Sequence, residues 1–379
     1  MGKVHKISSF RNLFSRSVLR PCKSIIPTTA MDHAKNRIII DHSHHIKYMI
    51  LFFVLLFFSI NIFTSPTNTP FFPWQLSLFH PSKQLHETVY IKDDLEQALA
   101  GAATENKTVI ITVVNKAYIE GDKPMVDLFL DGFWQGEGTR ELVNHLLIVA
   151  MDQTSYERCK FMHLHCYKLE TDGVDFGGEK LFMSQDFIKM MWRRTLFLGD
   201  VLKKGYNFIF TDTDVLWLRN PFPNLYLNQT VDLQISTDKF NGSQWSEENP
   251  INTGFYMIKS NSKTIALLDA WYAGKDNINS TGWKDQDVLI KLMKDGMFKQ
   301  LGLTVRFLDT LYFSGFCDDS KDVNVVATIH ANCCRSISAK LADLTAVLHD
   351  WRRFKGSDAN QTSTFGWTQH VNCWDSWKN

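Results

Sequence analysis

The 379-residue sequence has almost no net charge, because 41 Lys and Arg residues oppose 40 Asp and Glu residues and leave +1 at pH 7. The positive charge is concentrated at one end. Residues 1–47 hold nine basic and two acidic residues, whereas the remainder holds 32 basic and 38 acidic ones. Proteins that bind nucleic acids usually carry a basic patch on the folded domain. The acidic remainder therefore argues against a nucleic-acid partner.

The sequence also lacks an internal repeat and a C-x-x-C pair. Without such a pair, a metal site built on cysteines is not expected. Apart from Cys22, the cysteines form a group of six: Cys159, Cys166, Cys317, Cys333, Cys334 and Cys373. In an oxidising compartment six cysteines permit disulfides in fifteen pairings. The adjacent Cys333 and Cys334 are predicted to join separate disulfides, or one stays free.

A long segment has no charge at all, since no Lys, Arg, Asp or Glu lies between Lys47 and Lys83. Within it, residues 48–63 (YMILFFVLLFFSINIF) are apolar enough for a short membrane-spanning helix, and Lys47 can reach the interface. The alternatives are a cleaved signal peptide, whose basic region is usually shorter, and burial in a core. The positive-inside rule places the basic tail, 1–47, in the cytosol and the rest in the lumen.

The sequons agree with a lumenal body, because five N-x-S/T sequons follow the apolar segment and none precedes it. They are Asn106, Asn228, Asn241, Asn279 and Asn360. Residues 64–88 are rich in Pro, Ser and Thr and predict a stem. We therefore expect a single-pass type II protein of the Golgi membrane, since a short span suits the thinner membranes of the secretory pathway.

From about residue 90, helical stretches alternate with short apolar strands. Strands are predicted at 108–114, 146–151, 166–169 and 208–210, and helices at 93–103, 141–145 and 181–202. The alternation indicates an α/β domain with a mainly parallel sheet over 89–356, followed by a tail, 357–379. Ligands of such sheets bind beyond the carboxyl ends of the strands. Asn115, Asp152 and Asp212 each follow a strand, so we expect them to line a nucleotide site.

The strand that ends near 210 delivers two carboxylates, Asp212 and Asp214. Alone they repel each other, and a divalent cation removes that repulsion and bridges to phosphate. Oxygen ligands and a diphosphate suit Mn²⁺ or Mg²⁺. A solvated turn explains the bare triplet equally well. The triplet is also similar to the first motif of haloacid-dehalogenase-type phosphatases. In that interpretation Asp212 is the nucleophile, and Asp318 and Asp319 are a later acidic pair.

Three downstream segments favour a site for a sugar nucleotide. The segment NTGF (252–255) precedes a strand-like run and lets backbone approach a sugar. The segment KDQDV (284–288) opens a helix with two carboxylates and an amide. The segment IHANCC (329–334) offers an imidazole, His330, which is either a metal ligand or a packed structural histidine.

With these motifs assembled, the chain resembles plant glycosyltransferase family 77, a nucleotide-diphospho-sugar transferase group linked to cell-wall polysaccharides and glycoproteins. The resemblance runs from about residue 95 to 354. It is carried by GTRELVNHLLIVAMDQ (138–153), HCYKLETDGVDFGGE (165–179), MMWRR (190–194), FTDTDVLWLRNPFP (210–223), KDQDVLI (284–290), TIHANCC (328–334) and HDWRRF (349–354). It implies a GT-A fold, a UDP-sugar donor and retention of anomeric configuration.

Site roles follow by position from the resemblance. Asp212 and Asp214 match the metal and donor motif. His330 matches the third ligand of related family-8 enzymes, although Asn-Cys-Cys follows it here where those enzymes have Gly and Lys. Asp285-Gln286-Asp287 resembles a D-Q-D element beside the anomeric carbon. These three are the expected catalytic residues, with Gln286 beneath that carbon and Asp285 or Asp287 as nucleophile or sugar ligand. Helix capping is another explanation for Asp285.

Two further groups have open roles. Lys189 and Arg193 share one helix face and are predicted to hold the diphosphate, although such a pair is usually a solvated face. Trp367, Trp374 and Trp377 are expected to pack on the domain, and stacking on an acceptor glycan is the alternative.

The combined prediction is a metal-dependent retaining transferase that moves a pentose or related sugar from a UDP-sugar to a cell-wall polysaccharide or glycoprotein. A lumenal phosphatase and a non-catalytic glycan-binding relative are the alternatives.

Overall fold

The computed structural model describes residues 93–227, 230–276, 282–357 and 365–378. The predicted tail, anchor and stem (1–88) lie outside these residues, as do Cys22 and three of the sequon asparagines: Asn228, Asn279 and Asn360. The chain divides between His86 and Glu87, and all described residues belong to the second unit. None of the described helices combines the length and apolar character needed to cross a membrane.

The domain alternates helices with strands through most of its length. The strands are β1 Thr108–Val114, β2 Leu146–Ala150, β3 His165–Lys168, β4 Asn207–Thr211, β5 Val215–Trp217, β6 Leu233–Thr237, β7 Ile251–Ile258, β8 Val305–Phe307, β9 Phe313–Gly315 and β10 Thr328–His330. The helices are α1 Asp94–Ala102, α2 Lys116–Ile119, α3 Met125–Gln135, α4 Gln153–Phe161, α5 Gln185–Lys203, α6 Ser262–Ala273, α7 Asp285–Lys294, α8 Met297–Gln300, α9 Ile337–Lys355 and α10 Val371–Asp375. Short 3-10 turns span Arg140–His145, Phe222–Asn224 and Gly274–Asp276.

Seven strands form the main sheet in the order β3-β2-β1-β4-β7-β6-β8. All neighbouring pairs are parallel except those that β7 makes with β4 and β6. The predicted α/β domain and mainly parallel sheet are thus confirmed for the described residues. The chain runs from β1 outward to β3 and then returns to place β4 on the other side of β1. That reversal opens a crevice at the carboxyl ends of β1 and β4, where ligands of such sheets bind.

The strands of the sheet are buried on both faces because helices cover them. In β1, Val109 and Ile111 pack with α5 on one face, whereas Ile110 packs on the other face against α3 residues such as Phe133. This burial explains why the run TVIITVV is apolar throughout and lacks the alternation of a half-exposed strand. The predicted strand at 108–114 agrees with β1. The other predicted elements agree within a few residues at their ends, except that the helix predicted at 141–145 is the 3-10 turn Arg140–His145.

A second sheet, with order β5-β10-β9, lies beside the first and is covered by α9. Strand β5 follows the D-x-D triplet directly, and β10 pairs with it so that His330 lies opposite Val215. The second sheet therefore brings residue 330 back to the triplet, more than a hundred residues away along the chain.

Three disulfides join the six cysteines of the described domain: Cys159–Cys166, Cys317–Cys333 and Cys334–Cys373. The prediction that Cys333 and Cys334 enter separate disulfides is confirmed. The Cys334–Cys373 bond ties the tail to the segment after β10. Beside it, Asp343 of α9 accepts hydrogen bonds from Asn372 Nδ2 and Cys373 N, both at 2.7 Å.

Candidate active site

A cavity of about 290 Å³ opens at the carboxyl ends of β1 and β4. Its walls include residues from the main sheet, the second sheet and helices α5, α7 and α9. Asn115 and Asp212, which follow β1 and β4, both line it, as the sequence predicts. The predicted location of the site at the strand ends therefore coincides with a cavity.

Asp212, Asp214 and His330 meet in this cavity, and one potential ligand atom from each lies within 4.8 Å of the others. His330 Nε2 is 3.3 Å from Asp214 Oδ1 and 4.0 Å from Asp212 Oδ2. Asp214 is 3% exposed, whereas the Asp212 side chain remains one-third exposed to the cavity. Two carboxylates and one imidazole at these separations form a ligand set for a divalent metal ion.

Gly254 makes the approach of His330 possible. A Cβ atom at residue 254 would lie 2.2 Å from His330 Cε1, far inside contact distance. The same glycine accepts a hydrogen bond from Asp212 N through its carbonyl oxygen at 2.8 Å. The NTGF segment, predicted to allow close backbone approach to a sugar, thus has a glycine that admits the third residue of the metal group.

Two cations balance the carboxylates in the described structure. Lys340 Nζ of α9 lies 2.7 Å from Asp214 Oδ2, and Arg194 of α5 donates to Asp212 Oδ1 at 2.9 Å. Burial disfavours ionisation of Asp214, but Lys340 and His330 outweigh burial and hold the pKa of this carboxyl well below its usual value. Burial raises the pKa of Asp212, because its cationic neighbours compensate less.

His330 responds to the same charges. Burial lowers the pKa of the imidazole, yet the adjacent Asp214 carboxylate outweighs burial and raises it. Near the carboxylates His330 is therefore readily protonated, and it must lose that proton to ligate a metal. A metal ion that binds beside Asp214 therefore competes with the proton on His330.

Asn115 lies at the edge of the cavity with one amide atom unused. Its Nδ2 donates to Phe176 O at 2.7 Å and to Gly178 O at 3.2 Å. Its Oδ1 is buried and has no hydrogen-bond partner among the described residues. A buried acceptor without a partner is unfavourable unless a ligand donates to it. Asn115 is thus arranged to accept a hydrogen bond from a bound molecule.

The D-Q-D segment begins α7, and its three residues have different surroundings. Asp285 is buried and accepts from Arg194 at 2.6 Å and from Gln286 N at 2.9 Å, so both its oxygens are engaged. Gln286 Oε1 accepts from Thr253 N and Thr253 Oγ1, both at 3.2 Å. The backbone donor identifies the oxygen of this amide and leaves its NH₂ group for the cavity.

Asp287 lies outside the group of residues that line the cavity. Its Oδ2 accepts from Lys284 N at 3.2 Å and closes the first turn of α7. Capping, which the sequence suggested for Asp285, is therefore done by Asp287. The structure places Asp285 and Gln286 at the cavity and Asp287 behind them.

Three predicted donor contacts lie elsewhere. Lys189 is exposed and pairs with Asp186, and Arg193 donates to Glu170 O at 2.6 Å. Asp152 caps α4 and accepts from Lys116 N at 2.6 Å, on the side of β1 away from the strand reversal. None of the three lines the cavity that holds Asp212. Lys189, Arg193 and Asp152 therefore lie outside this cavity, and their predicted contacts with the nucleotide stay predictions.

Arg194, the residue after Arg193, lies at the cavity, where the sequence predicted Lys189 and Arg193. Arg194 is 5% exposed and joins Asp212 to Asp285. One residue turns a helix by about 100°, so a face chosen at 189 and 193 differs from the face at 190 and 194. The sequence pattern could have predicted that Arg194 is buried, because it lies four residues after the buried Met190 and four before the buried Leu198.

Lys340 was not identified from the sequence as a site residue, although it lies on the apolar face of helix α9. It lies four, seven and eleven residues before the buried Leu344, Val347 and Trp351 of α9. A lysine on an apolar helix face needs a buried partner, and here the partner is Asp214. Tyr118 is a second missed residue of the cavity, and burial raises its pKa to about 12.

The acidic pair of the phosphatase alternative has other partners. Asp319 accepts from His370 Nε2 at 3.0 Å, and Asp318 accepts from Thr310 Oγ1 at 3.0 Å. Neither carboxylate lines the cavity. The acidic pair that the phosphatase alternative requires, Asp318 and Asp319, therefore lies away from Asp212.

Residues 141–344 match the profile of the nucleotide-diphospho-sugar transferase family. An uncharacterized protein of Arabidopsis thaliana is 56% identical over 77% of this chain and 87% of its own length. A beta-arabinofuranosyltransferase of the same plant is 29% identical over 46% of this chain and 32% of its own. A solved galactosyltransferase with donor and acceptor analogs aligns with a TM-score of 0.39 at 14% identity, over 64% of this chain and 99% of that one. The profile match and the plant relatives confirm the resemblance to plant family 77.

Proposed function

Because the chain belongs to the nucleotide-diphospho-sugar transferase family and is a glycosyltransferase, we propose that its cavity binds a UDP-sugar with Mn²⁺ or Mg²⁺ in a GT-A domain. We propose that it transfers the sugar with retention of configuration. The proposal rests on one observation. Asp212, Asp214 and His330 lie together in a cavity that is also lined by Asn115, whose Oδ1 has no hydrogen-bond partner among the described residues. This pairing supports a ligand with a metal-binding diphosphate at one end and a hydrogen-bond donor at the other.

In this proposal the three metal ligands are Asp212, Asp214 and His330. A bound cation supplies Lewis-acid stabilisation of the departing diphosphate. Arg194 keeps Asp212 oriented through their 2.9 Å hydrogen bond. Lys340, which pairs with Asp214, is near enough to share its charge with phosphate oxygens. Asn115 Oδ1 accepts the imide N–H of the uracil ring.

The surroundings of α7 support same-face transfer over double displacement. Asp285 is buried, and both of its oxygens are engaged by Arg194 and by backbone. A nucleophile needs a free oxygen aimed at the reacting carbon. We assign Asp285 to positioning Arg194. Gln286, held by Thr253, is assigned to the sugar, to which it presents its NH₂ group.

A pentose is the proposed donor sugar, and a cell-wall polysaccharide or glycoprotein is the proposed acceptor. The support is the likeness to a plant beta-arabinofuranosyltransferase. We further propose a Golgi location with the domain in the lumen. Three disulfides and two exposed sequon asparagines, Asn106 and Asn241, suit an oxidising, glycosylating compartment. Protease protection of the domain in sealed vesicles tests the location.

The activity is tested with the full chain and a panel of UDP-arabinose, UDP-xylose, UDP-galactose and UDP-glucose. Release of UDP by slow donor hydrolysis is measured with Mn²⁺ and with EDTA. We expect one donor to be hydrolysed with Mn²⁺ only, and Asp214→Asn to abolish hydrolysis. The matched control is Asp186→Asn, which removes an exposed carboxylate of α5 and is expected to be neutral.

Three results would refute the proposal. Donor turnover that persists in EDTA excludes the metal role. Turnover of a phosphomonoester with a trapped aspartyl-phosphate assigns the chain to the phosphatase alternative. Donor binding without turnover, after a broad acceptor screen, favours the non-catalytic alternative.

A further inference from the structure

One aromatic side chain of the cavity has no role in the proposed chemistry. Trp377 lines the same cavity as Asp212 and His330, yet it is 51% exposed. A half-exposed aromatic ring at the rim of a ligand cavity offers a bound molecule an apolar surface to contact. Trp377 is therefore a candidate ligand contact at the rim of this cavity.

The ring of Trp377 is held in place. Its Nε1 donates to Cys333 O at 2.7 Å, and the Arg335 guanidinium lies 5.2 Å from its ring centre. Four residues earlier, the Cys334–Cys373 disulfide fixes α10 to the segment that follows His330. These contacts hold an exposed indole in one orientation, which lowers the entropy lost when a ligand stacks on it.

A second aromatic side chain, Phe182, lies beside Trp377, and the ammonium group of Lys284 lies beside Phe182. The Phe182 ring lies 6.3 Å from the Trp377 ring in an edge arrangement, and Lys284 Nζ lies 5.2 Å from the Phe182 centre. Phe182 and Lys284 also line the cavity. Lys284 precedes α7, so the rim patch of Trp377, Phe182 and Lys284 leads directly to Gln286.

We propose that this rim patch, Trp377, Phe182 and Lys284, is a subsite for a pyranose ring of the acceptor glycan. The inference rests on the proposed function, since it extends the same cavity outward. A pyranose has an apolar C–H face, which packs on an aromatic ring, and hydroxyls, which accept hydrogen bonds from an ammonium group.

The exposure of the rim patch favours the acceptor over the donor as its ligand. A nucleotide is small enough to be mostly buried when it binds in a cavity. A polysaccharide or glycoprotein glycan must leave the cavity and continue into solvent. A half-exposed ring at the rim, next to the helix that carries Gln286, suits the ligand that extends outward.

The other tail tryptophans provide the contrast. Trp367 is partly buried and donates through Nε1 to Ser320 O at 3.1 Å, so it packs on the domain as expected. Trp374 lies on α10 and is 48% exposed, but it does not line the cavity. Trp374 is therefore a matched control for Trp377, with the same side chain, similar exposure and a nearby position.

The test uses the full chain, purified in mild detergent and loaded with UDP and Mg²⁺, which is diamagnetic. Saturation-transfer NMR is recorded with methyl α-L-fucopyranoside, methyl β-D-galactopyranoside and methyl β-D-xylopyranoside. We expect transfer to the ring C–H protons of at least one glycoside in the unmodified chain and in Trp374→Ala. In Trp377→Ala its affinity should fall about tenfold, and Trp377→Phe, which keeps a ring, should restore most of it.

Calorimetric titration of UDP with Mg²⁺ separates the two proposals. Unchanged UDP affinity in Trp377→Ala, together with weakened glycoside binding, supports the acceptor subsite. Weakened UDP binding makes Trp377 a donor contact and overturns it, as does unchanged glycoside binding or absence of transfer to all three glycosides. If the unmodified chain does not bind UDP with either Mg²⁺ or Mn²⁺, the proposed function fails, whatever the glycosides do.

Discussion

Arg194 shows how one buried residue organises the charges of the site. Its guanidinium donates to Asp212 and to Asp285, which belong to β4's end and to α7, and its face packs 4.7 Å from the Phe210 ring centre. A planar guanidinium can satisfy two carboxylates at once in a fixed geometry, which an ammonium group does less well. Arg194 thus couples the metal group to the segment that contains Gln286.

Replacement of Arg194 by methionine tests this coupling. Arg194→Met leaves the buried Asp285 carboxylate without its partner, so we expect the free energy of unfolding to fall by about 3–5 kcal/mol. Arg193→Met, one residue away and only partly buried, should change it by about 1 kcal/mol or less. Both changes in unfolding free energy are to be measured from guanidinium chloride denaturation curves. Equal effects at 193 and 194 would contradict the assignment of Arg194 as the organising residue.

At the level of elements, the site depends on the contact between β7 and β10. Strand β7 passes close to His330 because Gly254 has no side chain, and β10 is held by its antiparallel pairing with β5. The register of the two sheets therefore determines the position of His330 relative to Asp212 and Asp214.

Gly254→Ala tests this contact between strands. The added Cβ meets His330 Cε1 at 2.2 Å and must displace the ring, so we expect Mn²⁺ affinity to fall at least about tenfold. Gly199→Ala is the control, since its Cβ meets Leu268 Cβ at an ordinary 3.6 Å within helix α5. It should stabilise the domain by about 0.5–1 kcal/mol. Unchanged Mn²⁺ affinity in Gly254→Ala, measured by electron paramagnetic resonance, would exclude a dependence on this approach.

The disulfides differ in the length of chain that they close. Cys334 and Cys373 are 39 residues apart, whereas Cys159 and Cys166 are seven apart. In the chain-entropy picture, loss of the first costs about 4 kcal/mol and loss of the second about 2 kcal/mol. The double variants Cys334→Ser/Cys373→Ser and Cys159→Ser/Cys166→Ser are compared by chemical denaturation. The reverse order of stabilities would show that the tail is fixed by its other contacts.

On the scale of the whole molecule, the site joins parts that are far apart in the chain. Asn115 comes from β1's end, Asp212 from β4's end, His330 from the second sheet and Lys340 from α9. A ligand that contacts all four stabilises the folded domain against unfolding by mass action.

Thermal unfolding tests this linkage. With UDP and Mn²⁺ at about a hundred times the dissociation constant, we expect about 2.7 kcal/mol of stabilisation and a higher melting temperature. UDP with EDTA should give little shift, because the cation joins the diphosphate to Asp212 and Asp214. Asp214→Asn should remove the metal-dependent part of the shift. An equal shift with EDTA would mean that the nucleotide binds without the metal group.

The local sequence determined the helices and strands, and it also determined the two site residues that follow strands, Asn115 and Asp212. Apolar β-branched runs predicted β1 and β4, and the residues that directly follow them, Asn115 and Asp212, lie at the cavity. Strand period and strand-end chemistry are properties of neighbouring residues, so a pattern can reveal them. The segments that contain His330 and Gln286 were singled out from their own residues, and the resemblance assigned their roles, which stay predictions.

Tertiary structure alone decided which charged side chains meet. Arg194 faces Asp212 while Arg193 faces outward, because a helix turns by about 100° per residue and only packing identifies the buried face. The Cys334–Cys373 disulfide joins residues that are distant in sequence. So do the pairing of Lys340 with Asp214 and the position of Trp377 at the cavity rim. Such contacts depend on how layers pack, whereas the sequence by itself determined the layers, the D-x-D triplet and the class of chemistry.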